Sequence, residues 1–184
     1  MQTSPHPTIF RYGIISGLVS FVMFIAGILS GLMDFSSMTS SLLFGLVSMA
    51  VSIAILVVGV RFHRDKELNG FITFGQAFAV TFGISMIGML VSNIGQYFYT
   101  HFIDPLFYEN MADQMATMFE KFNVPEADAE KAIEDVKNAG SLSGMLGNIV
   151  KGGVMMTIVS AIIAAILKRK PNSPFSTNQP SDEL

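Results

Sequence analysis

At 184 residues the chain is one domain long, with 51% hydrophobic and 14% charged residues, a formal net charge of −3 and a mean hydropathy of +0.52. A soluble domain carries about 25% charge, so this composition is that of a membrane protein. The absence of cysteine removes disulfides, thiolate nucleophiles and Cys-based zinc or iron–sulfur centres, and the net negative charge argues against a nucleic-acid partner.

Residues 12–33 form the first run without a charge. Its 22 positions reach about 33 Å as a helix, enough for a hydrocarbon core. The run is too long for the apolar part of a signal peptide and lacks an A-x-A-like site, so it is read as a retained span. Gly13 and Gly17, then Gly27 and Gly31, give two G-x-x-x-G spacings, which suit either a dimer face or close packing inside a bundle. A second uncharged run occupies residues 39–60.

Arg61, Arg64 and Lys66 follow, with Asp65 and Glu67 among them. Basic residues gather on the cytoplasmic side of short loops, so this loop is expected inside. The bland reading is a topogenic turn; the functional one is a ligand or partner site. Asn69-Gly70 reads as a tight turn, since both residues tolerate positive φ. Phe71, Ile72, Phe74 and Phe78 then form an apolar band suited to the headgroup region.

The third run, residues 76–100, ends in the interfacial aromatics Tyr97 and Tyr99. Asn93, Gln96, Tyr97 and Thr100 share one helical face, a stripe that either lines a ligand path or makes interhelical hydrogen bonds. His101 and Asp104 lie just beyond as candidates to titrate or hold a cation. His6, His63 and His101 are too dispersed for a metal-ligand spacing, and no nucleotide or hydrolase motif occurs. No catalytic, cofactor-binding or metal residue is therefore assigned.

Asp104 is expected to N-cap a helix with Pro105 at its first position. Phe107, Met111, Met115, Met118 and Phe122 make one apolar stripe along it. Asn123 and Pro125 mark a break, after which residues 126–138 read as a second helix with Ala129, Ile133 and Val136 on one face and Gly140 as its stop. The two form an expected helical hairpin at 104–140. Its stripe is covered by the hairpin mate, by the outer bilayer surface or by another protein, for which a Met-rich surface is adaptable. Residues 104–146 carry three lysines against nine acids, a local charge of −6, and are expected outside, opposite the basic loop after the second run.

Residues 149–167 are the fourth run, interrupted by Lys151 near its start, where a lysine can snorkel to the headgroups. Gly140, Gly144, Gly147, Gly152 and Gly153 make the approach to it either flexible or closely packed. Lys168, Arg169 and Lys170 put the C-terminal end on the same side as Arg11. Residues 171–184 read as a disordered tail; the terminal Ser181-Asp182-Glu183-Leu184 imitates an ER-retention tetrapeptide without its Lys or His.

Several short motifs carry a family resemblance: Tyr12-Gly13, Arg64-Asp65 with Gly70, Thr73-Phe74-Gly75-Gln76-Ala77, and Ile103-Asp104-Pro105. In their order and spacing the chain resembles, over residues 9–170, the uncharacterised bacterial four-span membrane family known as domain of unknown function 4199. The resemblance implies an inner membrane and a periplasmic hairpin. It carries over no activity and no catalytic residues.

The expected fold is all-α: an integral-membrane four-helix bundle over residues 9–170, preceded by a tail at 1–8, with an extramembrane hairpin between spans three and four. Both termini are expected in the cytoplasm. The expected function is non-enzymatic, an interaction, assembly or envelope protein without cofactors; the alternatives are a small oligomeric transporter or channel, and an enzyme acting on lipid through His101 or Asp104. Expected partners are the lipid bilayer, a second copy of the chain, and a periplasmic protein on the outer hairpin, with no nucleic acid.

Overall fold

The computed structural model describes residues 5–33 and 38–169, of Met38 only the backbone; the expected tail at 171–184 lies outside the described residues. Six α-helices follow in order: α1 (His6–Leu29), α2 (Met38–Phe62), α3 (Phe74–Phe98), α4 (Phe107–Lys121), α5 (Glu126–Ala139) and α6 (Leu142–Leu167). A π-helical turn extends α2 over His63–Glu67, and a second extends α3 over Tyr99–Ile103. With these turns, α1, α2, α3 and α6 are each long and apolar enough to cross a membrane. The protein is an all-α, multi-pass membrane protein.

α1 and α3 run parallel. Ile9 packs at Gly83, Gly13 at Ile87, Gly17 at Val91 and Phe21 at Gly95, so contacts ascend together along both helices. α3 is the central helix, with α1, α2 and α6 around it. The core gathers at the end that carries Arg61, Arg64 and Arg169: Leu56, Val60, Ala77, Val80, Ile84, Ile163, Ala164 and Leu167 are buried there together with Ile72.

Ile72 corrects the expected headgroup band. Phe71 and Phe74 are exposed, but Ile72 is only 1% exposed, because its N–H donates to the Arg169 carbonyl (3.0 Å) and its carbonyl accepts from the Arg169 N–H (2.8 Å). In extended backbone neighbouring side chains point opposite ways, so this pair of bonds turns Ile72 inward and ties the α2–α3 loop to the end of α6. Asn69 (φ +54) and Gly70 (φ +86) form the tight turn before it. Thr73 and Gln76 then make a reciprocal capping box at the start of α3.

Three helix starts differ from the sequence reading. α1 begins at His6, inside the expected tail, since Pro5 at the N-cap and Pro7 in the first turn preset helical φ. α4 begins at Phe107, so Asp104 is not its N-cap and Pro105 is not its first residue. The Asp104 N–H is already taken by the Tyr99 carbonyl (3.0 Å), closing the π-helical turn, and its carbonyl accepts from Phe107 (3.1 Å). α6 begins at Leu142, because the Ser141 hydroxyl accepts from the Gly144 N–H (3.0 Å) and the glycines that follow stay helical. Lys151 is consequently the tenth residue of α6, about 13 Å along it, at the height where Gly152 meets Met89 in mid-α3.

The break between α4 and α5 falls where expected, with Asn123 at φ +51, and the two helices pack as a hairpin. Phe24 of α1 meets both Tyr99 (5.7 Å) and Phe107 (5.6 Å) edge-on. Gly140 lies so close to the Tyr108 ring that an added Cβ would stand 2.6 Å from it.

Candidate functional site

Glycines bring α1 and α3 together and thereby place their serines. A Cβ at Gly13 would lie 2.6 Å from Ile87, and one at Gly17 would lie 2.5 Å from Val91 and 2.7 Å from the Gly88 carbonyl. One at Gly88 would stand 3.0 Å from the Ser16 hydroxyl. Gly13 and Gly17 therefore sit in a contact inside the chain. The second glycine pair is not one seam: Gly27 meets Phe44 and Met33, each at 2.6 Å, whereas Gly31 lies beyond α1 with φ +68 and nothing within reach.

Two contacts between α1 and α2 mark the cleft between them. Near the basic end Tyr12 packs on Gly59 and on the Phe62 ring (5.7 Å); near the hairpin end Gly27 meets Phe44. Those points are about 22 Å apart along α1. The helices part around a cavity of about 320 Å³, lined by Val19, Met23, Phe24, Phe44, Ser20 and Ser52 and reaching Met33 and Ser41 past the second contact. Behind it lies a chamber of about 190 Å³ whose polar lining is Ser16, Ser20, Ser52, Ser85, Ser92 and Asn93. A third space of about 50 Å³, under the hairpin, is lined by Asn93, Gln96, Tyr97, Tyr108 and Asn148. Ser20 and Ser52 are common to the first two spaces, and Asn93 to the last two.

Several of these polar groups are satisfied within their own helix. Ser52 donates to the Ser48 carbonyl (2.9 Å), Ser85 to Thr81 (2.8 Å) and Asn93 to Met89 (2.8 Å), while the Gln96 amide donates to the Ser92 hydroxyl (2.8 Å). Such back-bonding keeps hydroxyls in an apolar span affordable. It spends the donor of Ser52 and Ser85 and leaves their oxygen lone pairs. The Ser48 hydroxyl, in the wall of the α1–α2 cavity, is buried without a hydrogen-bond partner.

Of the expected polar stripe, Asn93, Gln96 and Tyr97 meet in the space under the hairpin. Thr100 is 4% exposed and donates back to the Gln96 carbonyl (3.0 Å). His101 stacks on Tyr97 with 4.0 Å between centroids, and Asp104 borders a separate recess with Phe107 and Met111. The two candidates for cation binding thus face different surroundings.

A cluster that sequence spacing passed over lies at the opposite end. His63 is 2% exposed and its Nδ1 pairs with Glu67, which also accepts from the Thr8 hydroxyl. His63 and Glu67 are four apart, a helical spacing that continues α2 and was masked by reading the segment as a loop. Beside them Arg64 and Asp65 form an exposed ion pair at 2.6 Å.

On the hairpin, Phe107, Met111, Met115 and Met118 are half-buried and Phe122 is 57% exposed. Phe107 is engaged by Phe24, and Met111 faces Ile28 and Met33 across a recess of about 220 Å³. The first half of the stripe is thus turned to the end of α1. Burial pushes the Tyr108 phenol above its usual value, with the Thr100 hydroxyl acting in the opposite direction.

No curated protein and no solved structure matches the chain. A family model described as a protein of unknown function, DUF4199, matches residues 11–169. This covers every helix from the first turns of α1 to the Ile72–Arg169 tie, and the chain belongs to that family.

Proposed function

We propose that the protein is a non-enzymatic interaction or assembly component of a bacterial inner membrane, with both termini in the cytoplasm and the α4–α5 hairpin presented to a partner protein in the periplasm. The observation that carries this reading is the way the hairpin is held. Phe24 clasps Phe107 and Tyr108 fills the space over Gly140, so α5, which has no buried residue, is displayed from a fixed base. A displayed helix suits docking better than a tethered one, because less freedom is lost on binding. The orientation rests on Arg11, Arg61, Arg64, Lys66, Lys168 and Arg169 at the opposite end.

The test is site-specific photo-crosslinking in cells from Glu134, which is exposed on α5. A discrete protein adduct is expected at 134 and none from Lys66, on the far side. Adducts to lipid alone, or the same adducts from both positions, would overturn the reading.

A second reading, a small oligomeric transporter or channel for neutral solutes, is favoured by one observation: the serine chamber and the space under the hairpin share Asn93. Flux through proteoliposomes that falls in Gln96→Ala supports it, and folded protein without flux removes it.

A further inference from the structure

The α1–α2 cavity lies within two helices long and apolar enough to span a bilayer, so the medium at its mouth is lipid. It is a window closed toward the basic end by Tyr12 against Gly59 and crossed by Gly27 against Phe44, and it reaches Met33 and Ser41 at the outer helix ends. Its volume of about 320 Å³ matches roughly ten water-sized groups, or the upper part of one alkyl chain. The outer wall is Val19, Met23, Phe24, Phe44 and Val51, and water has little reason to fill such a space.

Its inner side is different in chemistry. Ser20 and Ser52 open onto the chamber of Ser16, Ser85, Ser92 and Asn93. Ser52 and Ser85 have spent their donors on backbone carbonyls and can only accept, while the Ser48 hydroxyl has no partner at all. Among the described residues no charged side chain lines either space. An ionised head would therefore be stripped of water without a counter-charge, whereas a hydroxyl can donate to the waiting lone pairs.

We propose that the α1–α2 window binds a neutral single-chain lipid with a hydroxyl head, of the monoacylglycerol or long-chain-alcohol class, its head among Ser20, Ser48 and Ser52 and its chain leaving between Val19 and Phe44. The serines select for a hydrogen-bond donor, and the uncharged lining selects against phospholipid. This goes beyond the hairpin reading and does not depend on it.

The experiment uses full-length protein in phosphatidylglycerol nanodiscs with a photoactivatable, clickable monoacylglycerol. Adducts are expected on residues 19–24 and 44–52, competed by unlabelled monooleoylglycerol and not by added phosphatidylglycerol. Ser20→Ala with Ser52→Ala is expected to lower labelling about three- to tenfold, the effect of one or two neutral hydrogen bonds, and to leave labelling by an alkane probe lacking the hydroxyl unchanged. Gly45→Phe fills the window from α2: Gly45 lines the cavity and has nothing within 4 Å of its Cβ position, so this variant is expected to fold with wild-type thermal stability and to abolish the labelling. Equal labelling of the exposed α6 face at Val154 and Ile158, equal competition by phosphatidylglycerol, or undiminished labelling in a folded Gly45→Phe protein would each overturn the proposal.

Discussion

Gly17 is where one methyl group decides the packing of two spans. Its Cβ would meet the Val91 side chain at 2.5 Å and the Gly88 carbonyl at 2.7 Å, and a backbone atom cannot step aside as a flexible side chain can. Gly17→Ala is expected to cost about 1–3 kcal/mol by overpacking, read as a lowered midpoint of thermal unfolding in detergent. Gly45→Ala, with open space around it, is expected to be neutral or stabilising by up to about 1 kcal/mol, since alanine is the better helix former. The G-x-x-x-G spacing located the first of these in the sequence. It could not distinguish Gly17 from Gly31, because both satisfy the same pattern and only the fold puts one against α3 and the other past a helix end.

Tyr108 supplies a titration at the same scale. Burial raises its phenol above the usual 10.0, so folding favours the neutral ring. Its contribution is complete below the unfolded value and is lost as pH rises through the higher folded one. The hairpin is therefore expected to be indifferent to pH across the neutral range and to loosen only above about pH 10, seen as new protease cleavage between α4 and α5 that coincides with the phenolate absorbance. Tyr108→Phe keeps the ring over Gly140 and is expected to abolish that coincidence. Nothing in the local sequence marks Tyr108, since Gly140, on which its ring packs, lies more than thirty residues on.

Among the elements, the four apolar helices and the hairpin were legible because hydrophobic run length and helical periodicity are local properties. What escaped was set by hydrogen bonds between elements or at their ends. Ile72 faces inward because of Arg169, and α6 gains a further two turns because Ser141 caps it and glycine is tolerated inside a membrane helix. The π-helical turn at His63–Glu67 belongs with these, as it carries α2 onward through residues whose charge suggested a loop. It also yields a test. Glu67→Ala leaves His63, 2% exposed, without its carboxylate partner and Thr8 without its acceptor, and a buried polar group left unpaired costs about 1–3 kcal/mol. A matched loss of thermal stability is expected, and Lys66→Ala, at an exposed neighbouring position, is expected to leave stability within about 0.5 kcal/mol of wild type. Equal effects of the two substitutions would mean that the cluster holds nothing together.

For the whole molecule the decisive quantity is which end faces the cytoplasm, because it fixes where the proposed partner of α5 is to be sought. The charges are unevenly shared: Arg11, Arg61, Arg64, Lys66, Lys168 and Arg169 collect at one end of the bundle, while residues 104–146 carry a local charge of −6. Insertion follows the basic residues of short loops rather than net charge, and by that rule the hairpin is expected outside. The absence of cysteine makes the measurement clean. Lys66→Cys and Glu130→Cys are both at exposed positions, and Lys66 is preferable to its neighbour Glu67, whose carboxylate is engaged by His63 and Thr8. In spheroplasts a membrane-impermeant maleimide is expected to label the cysteine at 130 alone, and that at 66 only after permeabilisation. The opposite pattern would place the acidic hairpin in the cytosol and move the search for its partner there. The window between α1 and α2 would keep its place in the bilayer in either orientation, since it lies between the two ends and depends only on the helices that frame it.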